Sequence, residues 1–215
     1  MELITLLNQA VTPKRGNRPN FDEAHVLLAL SVIAKEQPIG RHLLMRKLGL
    51  TEATTRTLIK RLKELELIHI DKVAGILLSE KGKQLLNYVS EKATIIENVK
   101  LTTINWNAIC IILRNLANIV GSVGILQLRD LIIRAGASKT LIGIVNQEGN
   151  VELPPKTFDE SEEIRKLKEE IKEKLNKIYR INDLILFVEP QDIYLAYKIV
   201  VALLLLNGQK NLPTS

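Results

Sequence analysis

The stretch from Gly49 to Ile68 constrains the fold more than any other part of the chain. Leu58, Leu62 and Leu65 recur four and three residues apart, and Arg56, Lys60 and Lys63 repeat the same interval on the other side. One helix thereby gains an apolar back and a basic front. Thr51 is suited to cap its start. Gly49, tolerant of positive φ, ends the element before it, a short helix over 39–48 with Leu43, Leu44 and Leu48 on one face and Arg41 and Lys47 on another. Pro38 separates that helix from a longer one over 22–35, on which Ala24, Leu27, Leu28, Ser31 and Ala34 fall at helical spacing. Ahead of it lies a polar lead, expected to be mobile, that contains Pro13-Lys14-Arg15-Gly16-Asn17-Arg18-Pro19.

Beyond the two-faced helix, Leu67–Asp71 and Ile76–Ser79 read as short strands joined by Lys72-Val73-Ala74-Gly75, a hairpin with a cation at its tip. Three helices, a tight glycine turn and a hairpin wing predict a winged helix-turn-helix over residues 1–99, with a linker helix at its end. Charge agrees with a polyanionic partner. The net charge is +6, and 38–72 alone carries eight basic residues against four acidic ones. The basic helix would enter the major groove with its first turns against base edges, carrying Thr51, Thr54, Thr55, Arg56, Lys60, Arg61 and Lys63. Arg41 and Arg46 would assist at phosphates, and Lys72 would gain from counterion release along the backbone.

The run Gly49-Leu50-Thr51-Glu52-Ala53-Thr54-Thr55-Arg56-Thr57-Leu58-Ile59-Lys60-Arg61-Leu62-Lys63-Glu64-Leu65-Glu66-Leu67-Ile68 resembles the recognition-helix signature of MarR-type and GntR-type winged-helix repressors. Leu78-Ser79-Glu80-Lys81-Gly82 resembles the Leu-Thr-x-x-Gly exit from their wing. The resemblance implies a regulator of transcription, and in GntR-like members the residues equivalent to Thr54 and Arg56 touch DNA. Glu66 departs from the pattern, standing where those families usually have glycine before the wing strand. The whole layout is similar to archaeal proteins that couple a winged helix to an uncharacterised domain.

The second half, 100–215, is expected to be an α+β domain for effector binding or dimerisation. A helix over 79–100 with Leu85, Leu86, Val89 and Ile96 inward would connect the halves. Strands follow at Ala108–Leu113, Thr140–Asn146, Val151–Leu153 and Leu184–Val188, with helices over 125–135, 160–179 and 191–206. On the helix over 160–179 the inward stripe would be Ile164, Leu167, Ile171, Leu175 and Ile178. This is the order βαββαβ plus a helix, which predicts an α/β sandwich of the ferredoxin-like kind. Gly121-Ser122-Val123-Gly124 ahead of a helix, with Arg129 and Arg134 nearby, is a candidate anion or effector cradle, although no Lys-Ser/Thr follows as a P-loop requires. Its bland counterpart is an ordinary tight turn. Trp106 and Tyr194 are expected to pack in the core.

Several classes fall away on composition. Aromatic residues make up 4% of the chain, too few to build the stacking platform of a single-strand binder. The one cysteine, Cys110, sits in an apolar run and reads as a buried free thiol in a reducing compartment. His25, His42 and His69 form no metal motif, no nucleophile or dinucleotide signature is present, and the acidic pairs Glu162-Glu163 and Glu169-Glu170 sit in a lysine-rich helix that pairs them. No catalytic residue, metal or cofactor is expected. The apolar run Ile193–Leu206 includes Lys198 and is shorter than the ~20 residues that span a bilayer. The sequence therefore predicts a cytoplasmic homodimer on double-stranded DNA, open to a small-molecule effector and without a membrane. A protein-docking winged helix and an architectural DNA-binding protein are the alternatives.

Overall fold

The computed structural model describes residues 2–13, 16, 18–155, 160–176 and 178–210, the side chains of 2–4 and 209–210 excepted. The chain divides into two compact units, 1–90 and 91–215.

The first unit holds helices α1 (Glu2–Val11), α2 (Glu23–Glu36), α3 (Arg41–Leu48) and α4 (Glu52–Glu64), strands β1 (Ile68–Asp71) and β2 (Gly75–Leu78), and α5 (Glu80–Lys92), which carries the chain out of it. Helix α1 corrects the expected polar lead. Leu7, Ala10 and Val11 are buried on it, and a helix of ten residues stands only when such packing supports it. Of the Pro13–Pro19 lead, 14, 15 and 17 lie outside the described residues. Asp22 caps α2, its Oδ1 accepting the His25 N–H (3.1 Å) while its own N–H donates to His25 Nδ1 (3.3 Å).

Helix α3 begins two residues later than expected because Ile39 is taken by the wing. Its N–H donates to the Ile76 carbonyl (3.0 Å), and the Ile76 N–H returns the bond (2.9 Å). Both α3 and α4 end in Schellman turns. At Gly49 (φ 64°) the Leu50 N–H reaches back to the Met45 carbonyl. At Glu66 (φ 61°) the Leu67 N–H reaches the Leu62 carbonyl (2.9 Å) and the Glu66 N–H reaches the Lys63 carbonyl (2.9 Å). The position where the sequence departs from the winged-helix pattern thus keeps the backbone conformation that glycine would take. Strands β1 and β2 pair antiparallel from Ile68↔Leu78 to Asp71↔Gly75. Ser79 then caps α5, accepting the Gly82 N–H (3.0 Å) and donating to the Glu66 carbonyl (2.6 Å).

In the second unit, β3 (Ala93–Leu101), β4 (Trp106–Leu113), β5 (Lys139–Val145), β6 (Val151–Glu152) and β7 (Leu184–Glu189) form one sheet in the order β3-β4-β7-β5-β6, antiparallel throughout. Helices α6 (Ile119–Val123), α7 (Ile125–Ala135), α8 (Glu162–Leu175) and α9 (Ile193–Lys210) accompany it. The expected helix over 79–100 stops at Lys92. From Ala93 the chain is strand, paired with β4 from Ala93↔Leu113 to Leu101↔Trp106. Ile96 falls on helical spacing after Leu85 and Val89, but Thr94, Ile95, Ile96 and Val99 are β-branched and fit a pleated sheet better.

Strand order and layering both correct the ferredoxin-like expectation. The unit β4-α7-β5 has parallel strands split by β7, and β6-α8-β7 is split by β5. A ferredoxin-like sheet would insert β6 between β4 and β5 instead. The α/β sandwich itself is as expected, but helices cover both faces of its sheet where a ferredoxin-like fold covers one. Ile109, Ile111, Leu113, Leu184 and Leu186 pack with Ile119, Leu128, Ile132, Ile199 and Leu203 of α6, α7 and α9. Ala108, Cys110, Ile112, Ile185 and Phe187 face Leu167, Ile171 and Leu175 of α8. Burial on both faces explains why β4 and β7 read as unbroken apolar runs. Helix α8 ends at Leu175, with Asn176 left-handed beyond it, so Ile178, expected on its inward stripe, is exposed. Cys110 is fully buried, and burial pushes its thiol pKa up, away from thiolate chemistry.

Candidate nucleic-acid interface

Helix α4 is anchored by its back. Leu58, Ile59 and Leu62 are buried, which turns Ala53, Arg56, Thr57, Lys60 and Lys63 outward as one exposed row. Thirteen residues give a rod of roughly 20 Å at 1.5 Å per residue, and a helix of this width fits the ~12 Å major groove. Arg61 lies half-buried at the edge of the row.

The first turn of α4 is used differently from the expectation. Thr55 is 0% exposed, with its Oγ1 donating to the Thr51 carbonyl (2.9 Å). Thr54 is 9% exposed, and both its N–H and its hydroxyl are engaged by Thr51 Oγ1 (3.3 and 2.9 Å). Thr51, Thr54 and Thr55 therefore build the helix start, and Thr55 has no face to offer a base. The reason is angular: Thr55 and Leu58 are three apart, and Thr54 precedes Leu58 by four, so both share the buried side. Ala53 and Thr57, which the sequence reading passed over, take the outward places. The signal was available, since 53, 57 and 60 fall at the same spacing as the basic row.

Glu52 is the other residue not anticipated. Its Oε1 accepts Arg56 Nη2 from one turn along α4 (2.9 Å) and pairs with Arg41 Nη2 from the start of α3 (3.2 Å). Arg46 is exposed and has no ion pair among the described residues, whereas Lys47 is held by Glu36 (2.6 Å). On the wing, the Asp71 carboxylate accepts the Ala74 and Val73 N–H groups (2.7 and 2.8 Å), which hold its pKa below the usual carboxylate range and fix the turn. Lys72 is exposed beside Val73, which is 98% exposed.

Residues 27–92 match the family model described as the CggR N-terminal DNA binding domain, and 104–207 match one described as a Domain of unknown function (DUF4443). The chain joins a DNA-binding domain to a domain of unknown function. The solved structure of Hypothetical protein PH0730 from Pyrococcus horikoshii OT3 is similar to it, with 21% identity and a TM-score of 0.63, covering 89% of this chain and 95% of that one. At that identity the likeness speaks for the fold. No curated protein matches the chain.

The DNA-binding domain contains Arg41, Arg46, Arg56, Lys60, Arg61, Lys63 and Lys72 on α3, α4 and the wing. The domain of unknown function does not assemble the cradle expected from its glycines. Gly121 and Ser122 lie inside α6 rather than in a loop, and the Ser122 and Gly124 N–H groups are spent on the Asn118 and Val120 carbonyls (3.1 and 3.0 Å). Arg129 and Arg134 are five residues apart on α7, roughly 140° around its axis, so they do not converge. A different opening exists, a polar cleft of about 450 Å³ between the 146–150 turn and α8, with Asn146, Glu152, Arg165, Lys168 and Lys172 among its walls. Trp106 is half-buried against the α8 side of the core, with Lys139 Nζ 5.2 Å from its ring centroid, and Tyr194 is also half-buried. Among the described residues no helix is long and apolar enough to cross a membrane.

Proposed function

We propose that the chain is a sequence-specific regulator of transcription that binds double-stranded DNA. Helix α4 lies in the major groove, Arg56 reads base edges, and the β1–β2 wing follows the phosphate backbone through Lys72. The observation that carries this reading is the outward row Ala53, Arg56, Thr57, Lys60 and Lys63, on a helix whose other side is fixed in the core by Leu58 and Leu62. Basic side chains outnumber the two exposed acids on that side, Glu52 in the first turn and Glu64 at the end, and the surplus of cations suits approach to a polyanion. The match of 27–92 to a DNA-binding domain supports the same reading.

The protein acts as a cytoplasmic homodimer, so that two α4 helices meet half-sites about one helical turn, ~34 Å, apart. Its second domain regulates rather than catalyses. A polar, charged metabolite is the effector class suited to the cleft beside α8, whose volume falls within the ~300–1,000 Å³ of ordinary ligand sites.

Fluorescence anisotropy tests the reading directly, using the chain's own upstream DNA and a scrambled duplex across a salt series. Tighter binding to the native duplex that persists as salt rises is the expected result. Arg56→Ala should lose that preference, at about 1–3 kcal/mol of discrimination. Equal loss of affinity for every duplex after Arg56→Ala would refute base reading by this residue.

A further inference from the structure

On the footing of the DNA-reading role above, we propose that Glu52 is a specificity-determining residue: a positioning carboxylate that holds Arg56 for guanine and keeps two arginines off the phosphate backbone.

A carboxylate in the first turn of a major-groove helix stands close to polyanionic DNA, where it repels. An acid there also suits the positive end of the helix dipole, which is a purely structural use. What goes beyond that use is the geometry. A single oxygen, Oε1, engages Arg56 Nη2 at 2.9 Å and Arg41 Nη2 at 3.2 Å. The two guanidinium groups come from different helices, α3 and α4, so the carboxylate joins the two elements of the helix-turn-helix at the surface presented to DNA.

Two effects follow. First, Arg56 is exposed and long, and left alone it would sample many rotamers or wrap onto a phosphate. Held at one Nη2 hydrogen, it keeps the other Nη2 hydrogen and those on Nη1 in a fixed fork, the shape that bonds guanine O6 and N7. Second, each phosphate that captures Arg41 or Arg56 must break a bond to Glu52 and bring a negative charge nearer the backbone. Random DNA offers phosphates everywhere but a guanine in register only by chance, so it bears that penalty mostly without return. A guanine in register accepts from Arg56 with the Glu52 bond intact. Glu52 therefore widens the gap between cognate and random DNA by weakening the latter.

The test uses the full chain, a duplex enriched by the wild-type protein from a randomised library, and a scrambled duplex of the same composition. Glu52→Ala is expected to bind the scrambled duplex about fivefold more tightly, to reduce discrimination by about tenfold or more, and to steepen the salt slope by about 1 to 2 as the freed arginines take phosphates. Glu52→Gln, which keeps the size of the side chain, should shift all three in the same direction by less. In the background of Arg56→Ala, Glu52→Ala should cost no further discrimination, because the one arginine it still frees, Arg41, takes phosphates on either duplex alike. A purely structural Glu52 would lower the melting temperature and weaken both duplexes alike, and that result overturns the proposal. So does a discrimination ratio that Glu52→Ala leaves within about twofold of wild type. A wild-type chain that enriches no duplex overturns the DNA-reading function and this role with it, whereas enrichment by wild type with an unchanged ratio in the variant removes Glu52 alone.

Discussion

Glu66 carries a side chain in a conformation that favours glycine. Its φ of 61° is set by the Schellman turn that ends α4 and turns the chain into the wing. For an L-residue the left-handed region costs roughly 1–2 kcal/mol, and glycine removes that cost while adding roughly 0.5–1 kcal/mol of chain entropy to folding. Its 4.0 Å approach to Lys81 is an exposed pair and contributes little. Glu66→Gly should therefore stabilise the first unit by about 0.5–1 kcal/mol, read as a raised melting midpoint, and a lowered midpoint would contradict the strain. The same turn shows how far residues were legible. The glycine of the winged-helix pattern was missed at 66 in identity but kept in backbone, while Gly82 was read as a motif match and has a steric cause. A Cβ there would stand 2.2 Å from the Leu67 carbonyl, so Gly82→Ala should destabilise by roughly 1–3 kcal/mol, with unchanged melting counting against the contact. The exposed basic row was visible because charge and period agreed. Thr54 and Thr55 read either way from sequence because threonine suits both a groove and a helix cap, and their angle to Leu58 places them on the buried side.

At the scale of elements, helices of the first unit announced themselves through caps and period, whereas β3 did not. Its residues continue the spacing of α5, and what makes them a strand is a partner, β4, that local sequence does not name. The β3–β4 turn is then held from outside by α8. The Glu170 carboxylate accepts the Thr102 N–H and hydroxyl (both 2.6 Å) and the Thr103 N–H (2.9 Å). Burial of Glu170 opposes ionisation, but the hydrogen bonds from Thr102 and Thr103 together prevail and bring its pKa to about 2, below the ordinary 4.5. A depressed folded-state pKa contributes stability that is complete above the ordinary value and is lost as pH falls from about 4.5 toward 2. Glu170→Gln should lower stability at neutral pH and flatten the acid limb of the melting profile in that window. An acid limb as steep as wild type would show that another carboxylate governs it. The sequence reading explained Glu170 as one of several helix-surface acids pairing with lysine. Its contact with Lys174 is 3.9 Å, so the Thr102-Thr103 turn is the closer partner.

For the molecule as a whole, the order of elements in the second unit was nearly all legible, yet the sheet order was not. A βαββαβ string fits more than one interlocking of split units, and what selects among them here is that β4 and β7 are apolar on both faces and so must sit inside, with helices on either side. Function at this scale depends on how many copies engage one duplex, and Lys72 can count them. The tip of the wing is fixed by Asp71 through backbone bonds alone, so removing the Lys72 side chain leaves the turn in place and takes away one cation. Each phosphate contact contributes about 0.9 to the slope of log affinity against log salt. Lys72→Ala should therefore weaken native and scrambled duplexes alike, because a backbone contact carries no sequence information. In a homodimer both wings lose their contact, and the slope should flatten by about 1.8 per complex; one chain per duplex would give about 0.9. Anisotropy titrations over a salt series, with the stoichiometry fixed by sedimentation equilibrium, measure both quantities. A two-chain complex whose slope is unmoved by Lys72→Ala would place the wing away from the phosphates. A variant that lost only the native duplex would make Lys72 a base reader instead.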